Sequence, residues 1–499
     1  MYRLKAREVL RKLVVLRARV AGDGGALYNK WAPGIAREAF HPSARNLAHY
    51  LALRREDLRQ LQWELIPLGL SSLGRLEARV MPTLNAVIAS CAAVVRQQEA
   101  GDFPLEEDFT QGEAILDHNS QLVLGPEPDS RYTRVMVTLP TEAARDEHLI
   151  EDLVARGMEI ARINCSHDDE EHWAAMIAKV REAGRKLGRT CLVSMEVPGP
   201  KVRIDRVLSE LRRARVFAQD KVFLTAGRAI RLPRGFHVAI SCSIPEIISH
   251  LTRGEVVMID DGHIEAVCED MLEDGVVLRV TRVINNERGV LLRPEKGLNF
   301  PGVDYRIPLL SPRDQEIMHF VCAQADIIGC SFVRDQADID ILRREINARL
   351  KQADSKPIII KIETLEALRA LPDILVRAAG HVPIAVMIAR GDLAVEVGYA
   401  RLSEYQEEIL WICEAAHVPV IWATQVVETL VKTGIPTRAE ISDVTLAAKS
   451  ECIMLNKGPH VGEAVTFVAD ILSMFEHHVY KKTSILRQLT IAREQFQDL

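Results

Sequence analysis

Eight short apolar segments recur between about residue 134 and residue 456, and amphipathic helical stretches separate most of them. The segments are Val135–Thr138, Ile160–Ile163, Cys191–Met195, Ile327–Cys330, Ile358–Lys361, Ile384–Ile388, Val418–Ala423 and Cys452–Leu455. Eight β-then-α units predict an α/β fold, a closed parallel (β/α)8 or TIM barrel. The active site of such a barrel lies at the C-terminal ends of the strands, so the fold prediction also says where to look for function.

The residues that follow these segments are unusually rich in chemically useful side chains. They are Arg162, Asn164, Ser166, Glu196, Ser331, Lys361, Glu363, Asp392 and Thr424. Carboxylates, cations and hydroxyls gathered at one end of a barrel indicate an enzyme.

Composition excludes several other classes of protein. The 499 residues are 48% hydrophobic and carry a net charge of −6, so we expect neither a nucleic-acid partner nor a membrane-spanning segment. The nine cysteines form no Cys-x-x-Cys pair, which is typical of a reducing compartment, and the cytoplasm is the expected location. A basic amphipathic helix over about Arg3–Arg19 also resembles an organellar transit peptide, although Glu8 and the absence of serines disfavour that reading.

Changes in periodicity divide the chain into regions. Residues 1–125 are predicted to form a helical extension, with Gly101–Ser130 as an acidic, proline-containing linker. The barrel is assigned to 126–203 and 302–480, and residues 481–499 to a C-terminal tail. Between them, short strand-like stretches with turn signals predict an all-β insert over 204–301, a β-barrel lid hinged at the barrel mouth.

Lys361 and Glu363 lie two residues apart on a strand, so both side chains project to the same face. Together with Asp392, one βα unit later, Glu363 forms a two-carboxylate site that suits magnesium, or manganese, with the remaining ligands supplied by water and a substrate phosphate. Lys361 can neutralise charge on a phosphoryl group or an enolate. A purely structural Lys–Glu pair is the alternative.

Other motifs are weaker when taken alone. Arg162 suits a phosphate bidentately, although Arg-x-Asn also occurs as a satisfied barrel layer. The Gly199-Pro200 turn is predicted to be the hinge into the insert, and Lys296 and Asn299 at the return hinge can reach a nucleotide. Asp261 is most simply part of a hairpin turn. The hydroxyl of Thr424 can relay a proton.

Taken together, these motifs resemble the pyruvate kinase family from about Arg134 to Leu472. The matching stretches are Ala-Arg-Ile-Asn-Cys-Ser-His at 161–167, Gly-Pro-Lys-Val-Arg at 199–203, Asp-Asp-Gly at 260–262, Lys-Gly-Leu-Asn-Phe-Pro-Gly at 296–302, Ser-Phe-Val-Arg at 331–334, Ile-Ile-Lys-Ile-Glu-Thr at 359–364, Ala-Arg-Gly-Asp-Leu at 389–393, Ala-Thr-Gln at 423–425 and Pro-Thr-Arg-Ala-Glu at 436–440. Their order and spacing are highly specific. The family fold is this barrel with a β lid inserted after strand three.

The resemblance implies a role for each matching residue. Arg162 would grip the phosphate of phosphoenolpyruvate, and Lys361 would stabilise the transferring phosphoryl group. Glu363 and Asp392 would hold magnesium. The remaining implied roles are a backbone N–H of Gly391 for the substrate carboxylate, Thr424 near the protonated face of the enolate, nucleotide contacts from His167, Arg203, Lys296, Asn299 and Asp261, and a potassium site at Asn164, Ser166, Glu196 and Val197.

The departures from the family concern regulation and the monovalent cation. Lys201 stands where the family usually has a glutamate, and a tethered ammonium can replace free potassium, so weak or absent potassium activation is expected. Asn456-Lys457-Gly458-Pro459 replaces the usual Ser-Gly-Glu-Thr. About forty residues follow strand eight, so the family's C-terminal regulatory domain, and sugar-phosphate activation through it, are not expected.

The expected reaction is that of pyruvate kinase in glycolysis: phosphoryl transfer from phosphoenolpyruvate to ADP, giving pyruvate and ATP. A homodimer is expected by family analogy. Two alternatives remain open. One is a magnesium-dependent lyase or aldolase that stabilises a pyruvate enolate, and the other is a catalytically weak pseudokinase that acts as a binding protein through its N-terminal helices.

Overall fold

The computed structural model describes residues 2–97, 102–227, 229–303, 305–350 and 355–476, and the backbone of 479–480 and 483–484. The N-terminal region is helical, as predicted. Its helices are α1 (Tyr2–Trp31), α2 (His41–Arg54), α3 (Arg59–Leu65), α4 (Val80–Val95) and α5 (Glu106–Leu124). Helix α1 packs on α2 and α4. Its apolar stripe is buried there at Ala6, Val9, Leu10, Leu13, Leu16 and Val20.

One stretch of this bundle, Glu77–Val95, is long and apolar enough to cross a bilayer. Just over half of it is buried inside the protein, at 56%. A core helix of a helical bundle has the same composition, because it must be apolar on most of its faces. The stretch is therefore weak evidence for a membrane span.

The first three barrel units follow. They comprise β1 (Arg134–Thr138), α6 (Leu149–Arg156), β2 (Ile160–Asn164), α7 (Glu170–Leu187) and β3 (Leu192–Val197). The described part of the insert consists of strands, turns and one short 3-10 helix, Pro245–His250. Its strands are β4 (Ile204–Ser209), β5 (Arg215–Val216), β6 (Lys221–Thr225), β7 (Val238–Cys242), β8 (Val256–Ile259), β9 (Ile264–Leu272), β10 (Gly275–Val283), β11 (Val290–Leu291) and β12 (Leu298–Asn299).

The remaining five units complete the barrel. They are α8 (Pro312–Gln324), β13 (Ile327–Cys330), α9 (Gln336–Asn347), β14 (Ile358–Ile362), α10 (Leu365–Arg369), α11 (Leu371–Ala379), β15 (Ile384–Ala389), α12 (Arg390–Val397), α13 (Tyr399–Ala415), β16 (Val420–Ala423), α14 (Glu428–Thr433), α15 (Arg438–Ala447), β17 (Cys452–Leu455) and α16 (Val461–Glu476). The short strands β18 (Val479–Tyr480) and β19 (Thr483–Ser484) follow. The tail predicted at 481–499 lies largely outside the described residues.

The barrel closes in the order β1-β17-β16-β15-β14-β13-β3-β2, and all its strand pairs are parallel. Strand residues alternate between two clusters, as the period of two requires. Met136, Ile160, Ile327, Ile359 and Met387 belong to one apolar cluster within the barrel. The strand residues between them, such as Val135, Val137 and Ile360, point outwards and belong to the larger apolar core between the strands and the surrounding helices. All these strands thus end at one mouth, which confirms the predicted fold class.

The predicted linker at Gly101–Ser130 is wrong, because α5 occupies most of it. Its acidic first turn looked like a linker, but Glu106, Glu107 and Asp108 lie at the positive N-terminal end of the helix dipole, where acidic side chains are favourable. Val123 and Leu124, in its last turn, belong to the same cluster as the barrel interior. Helix α5 therefore closes the barrel end opposite the mouth.

The insert forms a seven-stranded sheet in the order β12-β8-β9-β10-β6-β7-β4. Its two outer strands meet through backbone hydrogen bonds, from Ile204 N to Lys296 O at 2.8 Å and from Leu298 N to Val202 O at 2.8 Å. The insert has its own apolar core. The predicted lid is therefore a compact, nearly closed sheet joined to the barrel by two adjacent chain segments.

Buried polar contacts attach the extension to the barrel. His417, between α13 and β16, lies 2.9 Å from the Ser43 hydroxyl through Nδ1 and 2.9 Å from the carbonyl of Ala78 through Nε2. A carbonyl only accepts, so Nε2 carries the proton and Nδ1 accepts from Ser43. Asn46 Nδ2 also donates to Ala415 O at 2.9 Å. Burial lowers the pKa of His417 to about 4, so it is neutral at physiological pH.

Candidate active site

A buried ionic network lies at the barrel mouth. Arg162, in β2, donates from Nε and Nη2 to the two oxygens of Glu196 in β3, at 2.9 and 2.7 Å. Lys361, in β14, donates to Glu196 Oε1 at 3.1 Å and to Ser331 Oγ at 2.9 Å. The four side chains come from neighbouring strands, and each is more than nine-tenths buried. Parallel strand ends thus bring together residues that are far apart in sequence.

The opposite charges in this network stabilise one another's ionised forms. Burial alone would raise the pKa of Glu196, but Arg162 and Lys361 more than offset it and hold that pKa far below the usual range. Burial opposes the charged form of Lys361, yet Glu196 and Glu363 raise its pKa. Lys361 is therefore a permanent cation, suited to neutralising negative charge on a substrate rather than to accepting a proton.

The two predicted metal ligands end adjacent strands. Oε2 of Glu363 accepts the Phe332 N–H at 2.6 Å, and Oε1 forms an ion pair with Lys361 Nζ at 2.8 Å. Burial raises the pKa of Glu363, Lys361 lowers it and nearby Asp392 raises it again. Two carboxylates at the ends of adjacent strands fit a magnesium site that would take its other ligands from water and phosphate.

The metal prediction has a limit within the described residues, where no group of three or more His, Cys, Asp or Glu side chains could hold a metal ion. A complete protein cage is therefore not formed. Magnesium does not need one, because it commonly binds through one or two carboxylates together with substrate oxygens.

Lys201 pairs with one aspartate of the barrel and one of the lid. Its Nζ donates to Asp392 Oδ1 at 2.7 Å and lies 3.5 Å from Oδ1 of Asp261, in the lid. The two aspartates raise its pKa against the opposing effect of burial. Lys201 thus forms ion pairs with Asp392 and Asp261, whereas Glu196 is bonded to Arg162 and Lys361. The Lys201 ammonium therefore links the lid to Asp392 of the barrel.

The predicted potassium residues are only partly brought together. Oδ1 of Asn164 accepts the Ser166 N–H at 3.1 Å, and the Val197 carbonyl accepts the Ser331 N–H at 3.3 Å. Ser166 is exposed and lies in the turn after β2, so it does not continue the strand face of Arg162 as alternation predicted. The potassium site stays a prediction.

Thr424 and Gly391 meet across the ends of β15 and β16. The Gly391 N–H donates to Thr424 Oγ1 at 2.8 Å, so the donor predicted for a substrate carboxylate is here bound to the threonine. Thr424 adopts a left-handed backbone with φ 61° and Gln425 with φ 55°, which is unfavourable for residues with a Cβ. Strain of this kind is often held at functional sites.

Sequence reasoning missed the residue that holds this turn. Arg390 donates to the carbonyls of Ala423 at 3.0 Å and Thr424 at 2.7 Å, and it pairs bidentately with Asp443. Its guanidinium also lies 4.9 Å from the centre of the Trp422 ring. The position of Arg390 inside the Ala-Arg-Gly-Asp motif was the available signal, but nothing in the sequence linked it to Asp443.

The predicted nucleotide residues lie around the hinge of the insert. Arg203 pairs with Gly297 through a backbone bridge and donates to the carbonyl of Glu295 at 2.9 Å, so it lies beside Lys296. Burial, and then the charge of Lys457, lowers the pKa of His167. Lys296 pairs with Asp260 at 2.7 Å. Asn299 is buried and donates to Glu396 at 3.4 Å, on the other side of the hinge. Asp261 lies in the lid turn, within 3.5 Å of Lys201.

Comparison with known proteins identifies the family to which the chain belongs. A family described as "Pyruvate kinase, barrel domain" matches residues 130–464, more than half of the chain. The chain belongs to the pyruvate kinase family. It is 30% identical to a pyruvate kinase of Corynebacterium efficiens over 340 residues, 67% of this chain and 66% of that protein. It is also 31% identical to the human protein named Pyruvate kinase PKLR over 400 residues, 77% of this chain and 66% of that protein.

A solved structure agrees with the fold. It is described as a pyruvate kinase from Cryptosporidium parvum, with a TM-score of 0.62 and 24% identity, and the match covers 75% of this chain and 77% of that one. This chain thus spans about two thirds of the length of the curated pyruvate kinase relatives quoted above.

Proposed function

We propose that this protein is a phosphotransferase that moves the phosphoryl group of phosphoenolpyruvate to ADP, giving pyruvate and ATP. The observation that carries the proposal is the Lys361 ammonium, held between Glu196, Ser331 and Glu363 beside Asp392. A buried permanent cation next to two acidic oxygen donors is the arrangement that phosphoryl transfer needs, because the reaction depends on positioning and charge neutralisation.

The chain's own residues would act in a fixed order. Arg162 and Lys361 would bind the phosphate of phosphoenolpyruvate and neutralise its charge as the P–O bond breaks. The Gly391 N–H, released from Thr424, would bind the carboxylate. The Thr424 hydroxyl would then lie near the methylene carbon of the enolate that must be protonated. The lid turn at Asp261 would exclude water from the transferring group.

A divalent cation would be held by Glu363 and Asp392, where it would neutralise phosphate oxygens and bridge them to the protein. Lys201 Nζ donates to Asp392 Oδ1 at 2.7 Å, so a metal at this carboxylate would compete with the ammonium for that oxygen. The contact of Lys201 with Asp261 gives the ammonium an alternative partner on the lid.

The lyase and the pseudokinase remain competing functions. The insert favours a nucleotide user, since an aldolase has no need of a lid that carries Lys296 and Asp261 over the mouth. A pseudokinase would bind ligands without turnover, so turnover separates the alternatives.

The test couples pyruvate formation from phosphoenolpyruvate and ADP to lactate dehydrogenase, with and without magnesium. We expect turnover that needs both substrates and the metal. Lys361→Met should lower kcat by about a thousandfold, as the loss of a buried electrostatic group in other enzymes does. Lys186→Met, which removes an exposed lysine paired with Glu151 on the barrel exterior, is the matched control and should leave kcat unchanged. Absence of turnover in the intact chain would contradict the proposal.

A further inference from the structure

The turn that follows β16 has an unfavourable backbone conformation. Thr424 and Gln425 have φ of 61° and 55°, and Val427 has φ of 43°. Threonine and valine are branched at Cβ, so the left-handed region is sterically costly for both. A turn of this kind persists only where surrounding groups hold it in place. Whatever holds this turn therefore also holds the Thr424 hydroxyl, which under the proposed function lies near the enolate.

One arginine binds the turn from the neighbouring strand end. Arg390, directly after β15, donates from Nε to the Ala423 carbonyl at 3.0 Å and from Nη2 to the Thr424 carbonyl at 2.7 Å. Its side chain is only 11% exposed. A guanidinium is planar and has its donors in a fixed arrangement, so two carbonyls bound at once leave it little freedom. Arg390 thus connects the ends of β15 and β16.

The same guanidinium is held on a third element, α15. Asp443 accepts hydrogen bonds from Nη1 and Nη2 of Arg390, the second at 2.8 Å. The indole N–H of Trp422 donates to the same carboxylate at 3.2 Å, and the centre of its ring lies 4.9 Å from the guanidinium. Trp422 is 1% exposed and is part of β16. The Arg390–Asp443 pair is therefore a rigid support for the turn that carries Thr424.

This support is separate from the groups assigned to phosphoryl transfer. Arg162 and Lys361 lie on β2 and β14, where both bind Glu196. Arg390 instead joins β15, β16 and α15, and the N–H of the next residue, Gly391, donates to Thr424 Oγ1 at 2.8 Å. Loss of the support should therefore disturb the position of the Thr424 hydroxyl more than the position of the cations.

We propose that Arg390 and Asp443 are positioning residues for protonation of the enolate, a role that rests on the proposed function. In this step the Thr424 hydroxyl gives its proton to the methylene carbon. The electron pair of the C=C bond forms the new C–H bond, and the enolate oxygen becomes the carbonyl oxygen of pyruvate. The Thr424 oxygen regains a proton from water. Such a transfer depends on position, and a displacement of about 1 Å can cost on the order of a hundredfold in rate.

Exchange of the methyl protons of pyruvate in heavy water, followed by NMR with magnesium and ATP present, measures this step in reverse. ATP formation from phosphoenolpyruvate and ADP, coupled to hexokinase, measures phosphoryl transfer separately, because ATP forms before the enolate is protonated. We expect Arg390→Met to slow exchange about a hundredfold but ATP formation less than about tenfold. Asp443→Asn should slow exchange by about tenfold. Arg390→Lys, which can pair with Asp443 but cannot also bind both carbonyls, should lie between Arg390→Met and the intact chain.

Arg401→Met is the matched control. Arg401, exposed on α13, also pairs with a carboxylate, that of Glu404 at 3.3 Å, and lies 4.6 Å from the centre of the Tyr405 ring. This variant should leave both rates unchanged. Equal losses of exchange and ATP formation in Arg390→Met would overturn the proposal, as would absence of exchange in the intact chain. Exchange that the intact chain performs and Arg390→Met loses, without any ATP formation, would contradict the proposed function and not the positioning role.

Discussion

At the scale of residues, ion pairs connect six charged side chains at the barrel mouth, three basic and three acidic. The charged side chains are Arg162, Lys201, Lys361, Glu196, Glu363 and Asp392. Losing one partner of a buried pair leaves the other charge desolvated, which costs about 3–5 kcal/mol. A dianionic phosphate entering a balanced site upsets that balance unless a divalent cation enters with it. Under the proposed function, we therefore expect the phosphate to bind together with a divalent cation.

Lys201 leads to a prediction about potassium. Replacing potassium by tetramethylammonium in the coupled assay should change the rate of the intact chain less than about twofold, because the Lys201 ammonium already supplies a tethered cation at the barrel mouth. Lys201→Glu, which restores the acidic side chain usual in the family, should make the rate depend on potassium. Lys201→Met removes the positive charge without adding a negative one, so comparing it with Lys201→Glu distinguishes the two effects. A collapse of the intact chain's rate without potassium would refute the prediction.

At the scale of elements, helix α5 covers the barrel end opposite the mouth. Gly112, in its first half, lies where a Cβ would approach the Ala78 carbonyl oxygen to 2.1 Å and His417 Nε2 to 2.8 Å. Both contacts are far shorter than van der Waals separation, and the first is to rigid backbone. Glycine is therefore needed at 112 for close packing of α5 on the extension and the loop that precedes β16.

We expect Gly112→Ala to lower stability by about 3 kcal/mol or more, because α5 must move away from its partners. Gly22→Ala is the matched control. Gly22 also lies in a helix, but nothing lies within 4 Å of an added Cβ, so alanine should be neutral or stabilising by up to about 1 kcal/mol. Thermal unfolding followed by circular dichroism measures both. Equal melting temperatures for the two variants would show that α5 is not tightly packed at Gly112.

At the scale of the whole molecule, the extension and the barrel share one core and one buried histidine. His417 is held neutral between Ser43 and Ala78, both in the extension. Its pKa in the folded protein, about 4, is below the usual 6.5. Stability from this group is therefore fully present above about pH 6.5 and is lost as the pH falls towards 4.

At pH 5 this loss amounts to about 2 kcal/mol. His417→Asn should remove that part of the pH dependence. Asparagine tolerates the left-handed backbone at this position, where φ is 50°, so the loop conformation can be kept. The measurement is the difference in free energy of unfolding between pH 7.5 and pH 5, in the intact chain and the variant. An unchanged difference in the variant would mean that His417 does not link the two parts.

Much of the architecture follows from local patterns in the sequence. The eight apolar segments fall on the eight barrel strands within about two residues at each end. Loss of the βα rhythm after strand three located the insert, because strand periodicity and turn residues act locally. The strand-end positions of Glu363, Lys361 and Asp392 could be predicted for the same reason: parallel strands deliver their last residues to one mouth.

Only the tertiary structure determines which charged side chains pair with each other. The sequence places Lys201 near Glu196 by family position, but packing of the lid on the barrel brings it to Asp392 and Asp261. Asn299 faces Glu396, and Arg390 reaches Asp443, through contacts between segments that are 97 and 53 residues apart. The sequence by itself determines the periodicity of the elements and hence the barrel. Ion pairs, cavities and the closure of the barrel by α5 depend on long-range packing, which no local pattern encodes.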